Sequence, residues 1–244
     1  MSITITLATM RRILGQLRHD HRTIGLMIGV PSLLMILLRY VFDTPGAFDR
    51  IGPMLLGLFP FVVMFIVTSV GTLRERTGGT LERLMTMPTG KLDLLLGYAL
   101  AFGLITLVQV GVVLGISLTW LGLDLVGAVW SLVLVAVLSA LLGMALGLFA
   151  SAFARTEFQA VQFMPAFVLP QALLCGLLVP RERMAGWLEA ISNVLPLSYA
   201  VDAMQRVTRE PDISPELTRD VLIITACMLL ALLLGAATLR RRTD

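Results

Sequence analysis

Six stretches of this chain stay almost free of charge over lengths that few folds can bury. Ile51–Leu73, Leu94–Leu123, Leu125–Ala154, Phe158–Pro180 and Val221–Leu239 contain no Asp, Glu, Lys or Arg. The sixth, Ile24–Leu38, reaches Phe42 through a single Arg39, which can snorkel to an interface. Each run is near or above the roughly 20 residues that a helix needs to cross a bilayer. The weak two-residue alternation of barrel strands is absent. Composition agrees: of 244 residues, 57% are hydrophobic and 14% charged, and the mean hydropathy is +0.89. A soluble domain carries roughly 25% charged residues. The expectation is an all-α polytopic membrane protein, one transmembrane domain over residues 1–244. Its six spans fall at 23–42, 51–73, 94–120, 126–153, 158–179 and 221–239.

Charge sorts the loops into two sides. With both ends on one side, that side holds Arg11, Arg12, Arg18, Arg22, Arg74, Arg76, Arg83, Lys91, Arg155 and the cluster Arg240–Arg242. Seven arginines fall on the other side, while acidic residues divide six to ten the opposite way. The positive-inside rule then puts both termini in the cytoplasm. The pI of about 9.3 reflects this sorting and not a nucleic-acid-binding stripe. The first 22 residues are too polar, and lack a cleavage pattern, for a secretory signal. Leu7, Met10, Leu14 and Leu17 recur there at helical spacing, with arginines mostly on other faces, which predicts a basic interfacial helix. His19 and His21 face different ways on a helix, and Cys175 and Cys227 sit in separate apolar runs. Neither pair makes a metal site or a disulfide.

Within the spans, Ser139, Gly143, Gly147 and Ser151 recur every fourth residue, and Gly111 and Gly115 repeat the spacing. Small residues at this interval let helices approach closely, within one chain or between protomers. Residues 180–219 form a long outer segment. Trp187, Ile191 and Val194 recur at helical spacing, and Pro196 suits the first turn of a second short helix through Tyr199. Amphipathic or re-entrant helices anchored by Trp187 are expected there.

Residues 74–92 form a charged island between two spans. Gly78-Gly79-Thr80 breaks the arriving helix, and Thr80 is a good N-cap with Glu82 near the positive end of the next helix. Leu81, Leu84 and Met85 share one narrow apolar face rimmed by Glu82 and Arg83. Pro88 ends this short helix, and Thr89 can cap the following one. Such a ridge is covered by lipid or by a partner.

The run Glu75-Arg76-Thr77-Gly78-Gly79-Thr80-Leu81-Glu82-Arg83-Leu84, with Pro88 and Leu94-Leu95-Leu96-Gly97, resembles the coupling-helix segment of type-2 ATP-binding-cassette exporter permeases. Leu173–Gln205, with its Cys-Gly turn, Pro180, Trp187 and Pro196-Leu197-Ser198-Tyr199-Ala200, resembles the outer signature of the same family. The N-terminal helix with Arg11-Arg12 is similar to the family's interfacial helix, so the resemblance covers essentially the whole chain. Thr77 departs from it, standing where many relatives carry another acid. The resemblance implies a permease subunit of the bacterial cytoplasmic membrane that exports a drug or lipid-like amphiphile. Thr80, Leu81, Glu82, Arg83, Leu84 and Met85 would dock on a separate nucleotide-binding ATPase that holds ATP and Mg. A second permease subunit, identical or different, would complete the pathway.

The chain itself has no GxxxxGK[ST] loop, so ATP chemistry belongs to a partner. It has no HExxH and no membrane histidine to activate a serine, which argues against an intramembrane enzyme. Uncharged span cores argue against a proton-coupled secondary transporter. A non-transporting scaffold or assembly protein, or a secondary transporter that binds sodium through backbone carbonyls, stays open as the alternative.

Overall fold

The computed structural model describes residues 2–42, 46–78 and 90–238. Among them are nine α-helices: α1 (Ile3–His19), α2 (His21–Val41), α3 (Ala47–Thr77), α4 (Lys91–Thr119), α5 (Val129–Ser151), α6 (Glu157–Leu174), α7 (Gly186–Ser192), α8 (Pro196–Arg209) and α9 (Pro215–Thr238). A 3-10 turn lies at Arg181–Arg183, and no strand occurs among the described residues. Five helices are long and apolar enough to cross a membrane: α2, α3, α4, α5 and α9. Their outward faces carry Leu33 and Leu37, Leu104 and Val108, Leu229 and Leu233, all exposed. In water each such side chain would forgo about 1.5–3 kcal/mol of burial, a loss that hydrocarbon removes.

The sixth expected span, 158–179, is not among those five. Its helix, α6, has 18 residues, about 27 Å of rise against a hydrocarbon thickness of about 30 Å. Gln159, Gln162 and Gln171 dilute its hydropathy, and Pro165 and Pro170 interrupt its backbone bonding. The chain leaves it through Gly176 at φ +92°, a conformation that favours glycine. At the start of α4 the N-cap is Gly90 and not Thr89, and it makes no side-chain cap.

Two pairs of helices run parallel at a shared sequence offset. The Ser139 hydroxyl donates to the Gly57 carbonyl at 2.9 Å, joining α5 to α3 across 82 residues. Gln109 Nε2 donates to the Met27 carbonyl at 2.9 Å and Arg39 Nε to that of Leu121 at 3.0 Å, joining α4 and its end to α2 across the same interval. Around the α3–α5 pair the core closes with Phe61, Phe65, Leu132, Leu142, Met204 and Ile224. Helix α8 packs its buried Leu197, Val201 and Met204 under one end of the bundle, called here the α8 end. At the other, the α1 end, α1 lies across the start of α4, and the C termini of α3 and α5 and the N terminus of α6 converge.

Candidate functional site at the C-terminal end of α3

Helix α3 has 31 residues, about 46 Å of rise, so its last turn runs past the apolar layer that its middle requires. Three consecutive residues of that turn each hold a different part of the bundle. Arg74 grips Glu157, the first residue of α6, with Nε and Nη2 donating at 2.8 and 2.9 Å. Glu75 takes Arg12 of α1, whose Nη2 lies 3.2 and 3.3 Å from its two oxygens, and accepts the Tyr98 hydroxyl of α4. Arg76 Nη1 donates at 2.7 Å to the Ser151 carbonyl, which closes the open C terminus of α5. Successive helical residues diverge by about 100°, so Arg74, Glu75 and Arg76 reach four helices from one turn.

These tethers differ in strength. Arg74 and Glu157 are more than half exposed, at 60% and 53%, and solvent screening leaves such a pair contributing little. The Glu75 side chain is only 14% exposed. Its carboxylate is held by two donors, and removing one partner leaves a partly buried charge, which costs several-fold more. The Arg74 guanidinium lowers the Glu157 carboxyl below the usual range through their hydrogen bonds.

Helix α1 is seated by close contact. A Cβ on Gly97 of α4 would lie 2.6 Å from Thr9 Cβ and 3.0 Å from the Thr6 carbonyl oxygen, so only glycine lets the two helices meet here. The Ser2 amide donates to buried Asp93 at 3.1 Å, tying both helix N termini to one carboxylate. Asp20 ends α1 and caps α2, accepting from the Thr23 amide at 3.1 Å and hydroxyl at 2.6 Å. Those bonds, the hydroxyl first, hold its carboxyl below the ordinary range. Between α1, α2, α3 and the start of α4 lies a cavity of about 630 Å³.

A second polar cluster occupies the α8 end. Arg181 pairs with Asp202 at 3.1 Å and stacks 5.6 Å above the Tyr199 ring. Burial raises the Asp202 carboxyl to about 6, against the lowering pull of Arg181. Asp220 is fully buried between Arg206 at 3.2 Å and Arg219 at 3.1 Å, which locks α8 to α9. The Ser192 hydroxyl donates to the Leu174 carbonyl at 2.7 Å, holding α7 against the end of α6.

Of the residues singled out in the sequence, Thr80, Leu81, Glu82, Arg83, Leu84 and Met85 lie outside the described residues. Gly143 and Gly147 face α3 so closely that a Cβ on either would overlap the carbonyl oxygen of Phe61 or Phe65. Ser139 bonds Gly57 of the same helix, and the Ser151 carbonyl receives Arg76. That stripe is an intrachain seam. Gly111 and Gly115 lie apart from it, with open space where a Cβ would stand. Trp187 is 67% exposed on α7, Pro196 occupies the first turn of α8, and Tyr199 donates to the Asn193 carbonyl at 2.6 Å. Sequence reasoning passed over Arg12, Tyr98, Glu157, Asp202 and Asp220 as site residues. The i,i+4 order of Asp202, Arg206 and Glu210 was a usable signal for the α8 cluster. Nothing local links Arg12 to Glu75.

An all-helical bundle with five such helices, outward apolar faces and its charge gathered at the two ends is an integral membrane protein. The sequence profile of the ABC-2 type transporter family matches residues 4–208, and the chain belongs to that family. It is 28% identical over 169 residues to "ABC transporter G family member 20" of Dictyostelium discoideum, covering 68% of this chain and 23% of that one. It is 26% identical over 215 residues to "Probable multidrug ABC transporter permease YbhS" of Escherichia coli, covering 87% of this chain and 57% of that one. With "Linearmycin resistance permease protein LnrN" of Bacillus subtilis the identity is 28% over 149 residues, 60% of this chain and 38% of the other. The chain thus spans between about a quarter and somewhat over half of the length of these curated relatives.

Proposed function

We propose that this chain is the membrane-spanning permease subunit of an ABC exporter, driven by ATP hydrolysed on a separate nucleotide-binding subunit with its Mg. The carrying observation is the last turn of α3, where Arg74, Glu75 and Arg76 tie α1, α4, α5 and α6 to the helix end that directly precedes residues 79–89 in the sequence. A force applied to Thr80–Met85 by a docked ATPase would reach four helices within one turn. In the sequence that segment sets Leu81, Leu84 and Met85 at helical spacing beside the charged Glu82 and Arg83.

The cargo in this reading is amphiphilic, a drug or a lipid-like molecule. Support comes from the multidrug and resistance permeases among the relatives and from the apolar cavity beside the tethers. The basic residues sorted to the α1 end support both termini inside, and the bacterial relatives support a cytoplasmic membrane location. Residues 158–179 act as the sixth span, completed beyond α6 by the non-helical stretch to Val179. Gln159 and Gln162 on the exposed side of α6 suit a second permease subunit better than lipid, so two units pair through that helix.

The experiment is purification from native membranes in mild detergent with identification of co-purifying proteins. A partner carrying a phosphate-binding loop, retained by the natural chain and lost with Leu84→Asp, is the expected result. Export and ATPase recruitment undiminished in Leu84→Asp would remove the docking assignment. Recovery with no ATPase, where a known transporter complex survives, would leave a scaffold.

A further inference from the structure

Trp120, Trp130 and Trp187, with Tyr40, are exposed at the α8 end. Exposed indole and phenol rings settle at the border between hydrocarbon and headgroups. Helix α4 measures the layer from that border. The stretch from Gly97, the seat of α1, to Trp120 spans about 34 Å by helical rise, close to a hydrocarbon thickness of about 30 Å. Helix α1 therefore lies at headgroup level on the opposite side of the membrane.

Its faces differ at that level. Thr6, Thr9 and Ile13 are buried on the side toward α4. Roughly opposite, Ile3, Leu14, Leu7, Arg18 and Arg11 follow in that order around about 80° of arc. Ile3 and Leu7 are exposed, Leu14 is half-buried, and both arginines are exposed. The stripe is thus an apolar edge bordered by two cations that lie two turns apart, about 10 Å along the axis. Neighbouring Arg11 and Arg12 part ways here. Arg12 turns to Glu75, while Arg11 and Arg18 have no carboxylate partner among the described residues.

Charge around the stripe does not balance. With Arg12 and Arg74 paired, Arg11, Arg18, Arg22, Arg76 and Arg155 stand at the α1 end against Asp20 and Asp93. Asp93 is buried on the Ser2 amide, and Asp20 is engaged in capping α2. Signs mix at the α8 end, where exposed Arg183 and Arg209 are accompanied by exposed Glu182, Asp212 and Glu216. A zwitterionic surface leaves the surplus at the α1 end uncompensated. An anionic surface matches it, with a gain on the order of fivefold in affinity per arginine.

We infer that the outward stripe of α1 docks anionic phospholipid of the adjoining leaflet, headgroup phosphates against Arg11 and Arg18 and acyl chains against Ile3, Leu7 and Leu14. The lipid holds α1 from outside while Arg12 holds it to α3 from within. This goes beyond the exporter reading and needs only that the chain spans a bilayer.

The test is native mass spectrometry of the chain in a neutral detergent, titrated with phosphatidylglycerol or with phosphatidylcholine of the same acyl chains. The first phosphatidylglycerol should bind at least about fivefold more tightly than the first phosphatidylcholine. Arg11→Gln with Arg18→Gln should weaken phosphatidylglycerol by more than about tenfold and leave phosphatidylcholine unchanged. Arg183→Gln with Arg209→Gln removes the same charge at the α8 end and should leave phosphatidylglycerol binding within about twofold. All four arginines are exposed, so these changes spare the core. Equal binding of the two lipids, or equal loss in the two double variants, overturns the inference. So does displacement by an equal concentration of soluble glycerophosphoglycerol, which would leave an anion site without a leaflet. If Arg11→Gln with Arg18→Gln keeps the lipid but loses the ATPase, the stripe is a protein contact instead.

Discussion

The carbonyl of Phe61 rests on Gly143, with no room between them for even a methyl group. One turn further on, Phe65 and Gly147 repeat the contact, and Ser139 begins the series with its bond to Gly57. Because the obstructing atoms are backbone, no rotamer change relieves a substitution. Gly143→Ala should lower the unfolding temperature in detergent by roughly 4–10 °C, from an overpacking cost of about 1–3 kcal/mol. Gly111→Ala, on an open helix face, should leave it unchanged or slightly raised. A scan of both variants against the natural chain decides the point.

Glu75 joins α1 to α3 and α4, so its loss should act on coupling as well as stability. In a double-mutant cycle of Arg12→Gln and Glu75→Gln, the expected interaction energy is about 1–3 kcal/mol. On the proposed exporter reading, either single variant should also uncouple substrate-stimulated from basal ATP hydrolysis in the complex with the ATPase. Additive effects in the unfolding measurement would show that the pair contributes nothing together.

Arg74→Ala should behave differently. Its pair with Glu157 is exposed, so the change in unfolding temperature should be small and should vanish at high salt. Thermal unfolding at low and high ionic strength measures both features.

The buried carboxyl of Asp202 has a definite sign. Its folded value of about 6 lies above the ordinary 3.8, so the folded state binds the proton more tightly. This group therefore favours the folded state below about pH 4, and that contribution is lost as pH rises toward 6. The size is on the order of 2–3 kcal/mol. Subtracting the Asp202→Asn profile from that of the natural chain, between pH 4 and 7, should reveal this decline. A difference that is flat or rises with pH would contradict it.

Gly97→Val should lift α1 from α4, since Thr9 and the Thr6 carbonyl occupy the space a side chain needs. Trypsin cleavage after Arg11, Arg12 or Arg18 should then accelerate several-fold, while the rest of the chain keeps its protection.

The spans were legible because hydrocarbon imposes one rule on every residue of a helix: an uncharged run of sufficient length has few other uses. Ser139, Gly143 and Gly147 were legible as a contact stripe, but spacing could not say against what; the partner, α3, lies 82 residues upstream. Residues 158–179 sat at the edge of the rule, since their glutamines and prolines weaken the apolar signal without introducing charge. The tethers were invisible for another reason. Arg12, Glu75 and Tyr98 meet only after three helices have packed, and each alone looks like an ordinary membrane-border residue. The same holds for Asp20, which reads locally as a helix cap and becomes part of a cavity wall only once α1 packs across the start of α4.

The seam between α3 and α5 has a mechanical consequence. Three successive backbone-level contacts leave these helices no freedom to slide past each other, so they act as one stiff strut. At its far end, a Cβ on Gly57 would stand 3.0 Å from Met204 of α8. A push delivered to the last turn of α3 therefore travels the full thickness of the membrane and arrives beneath α8, with little slack in which to be lost.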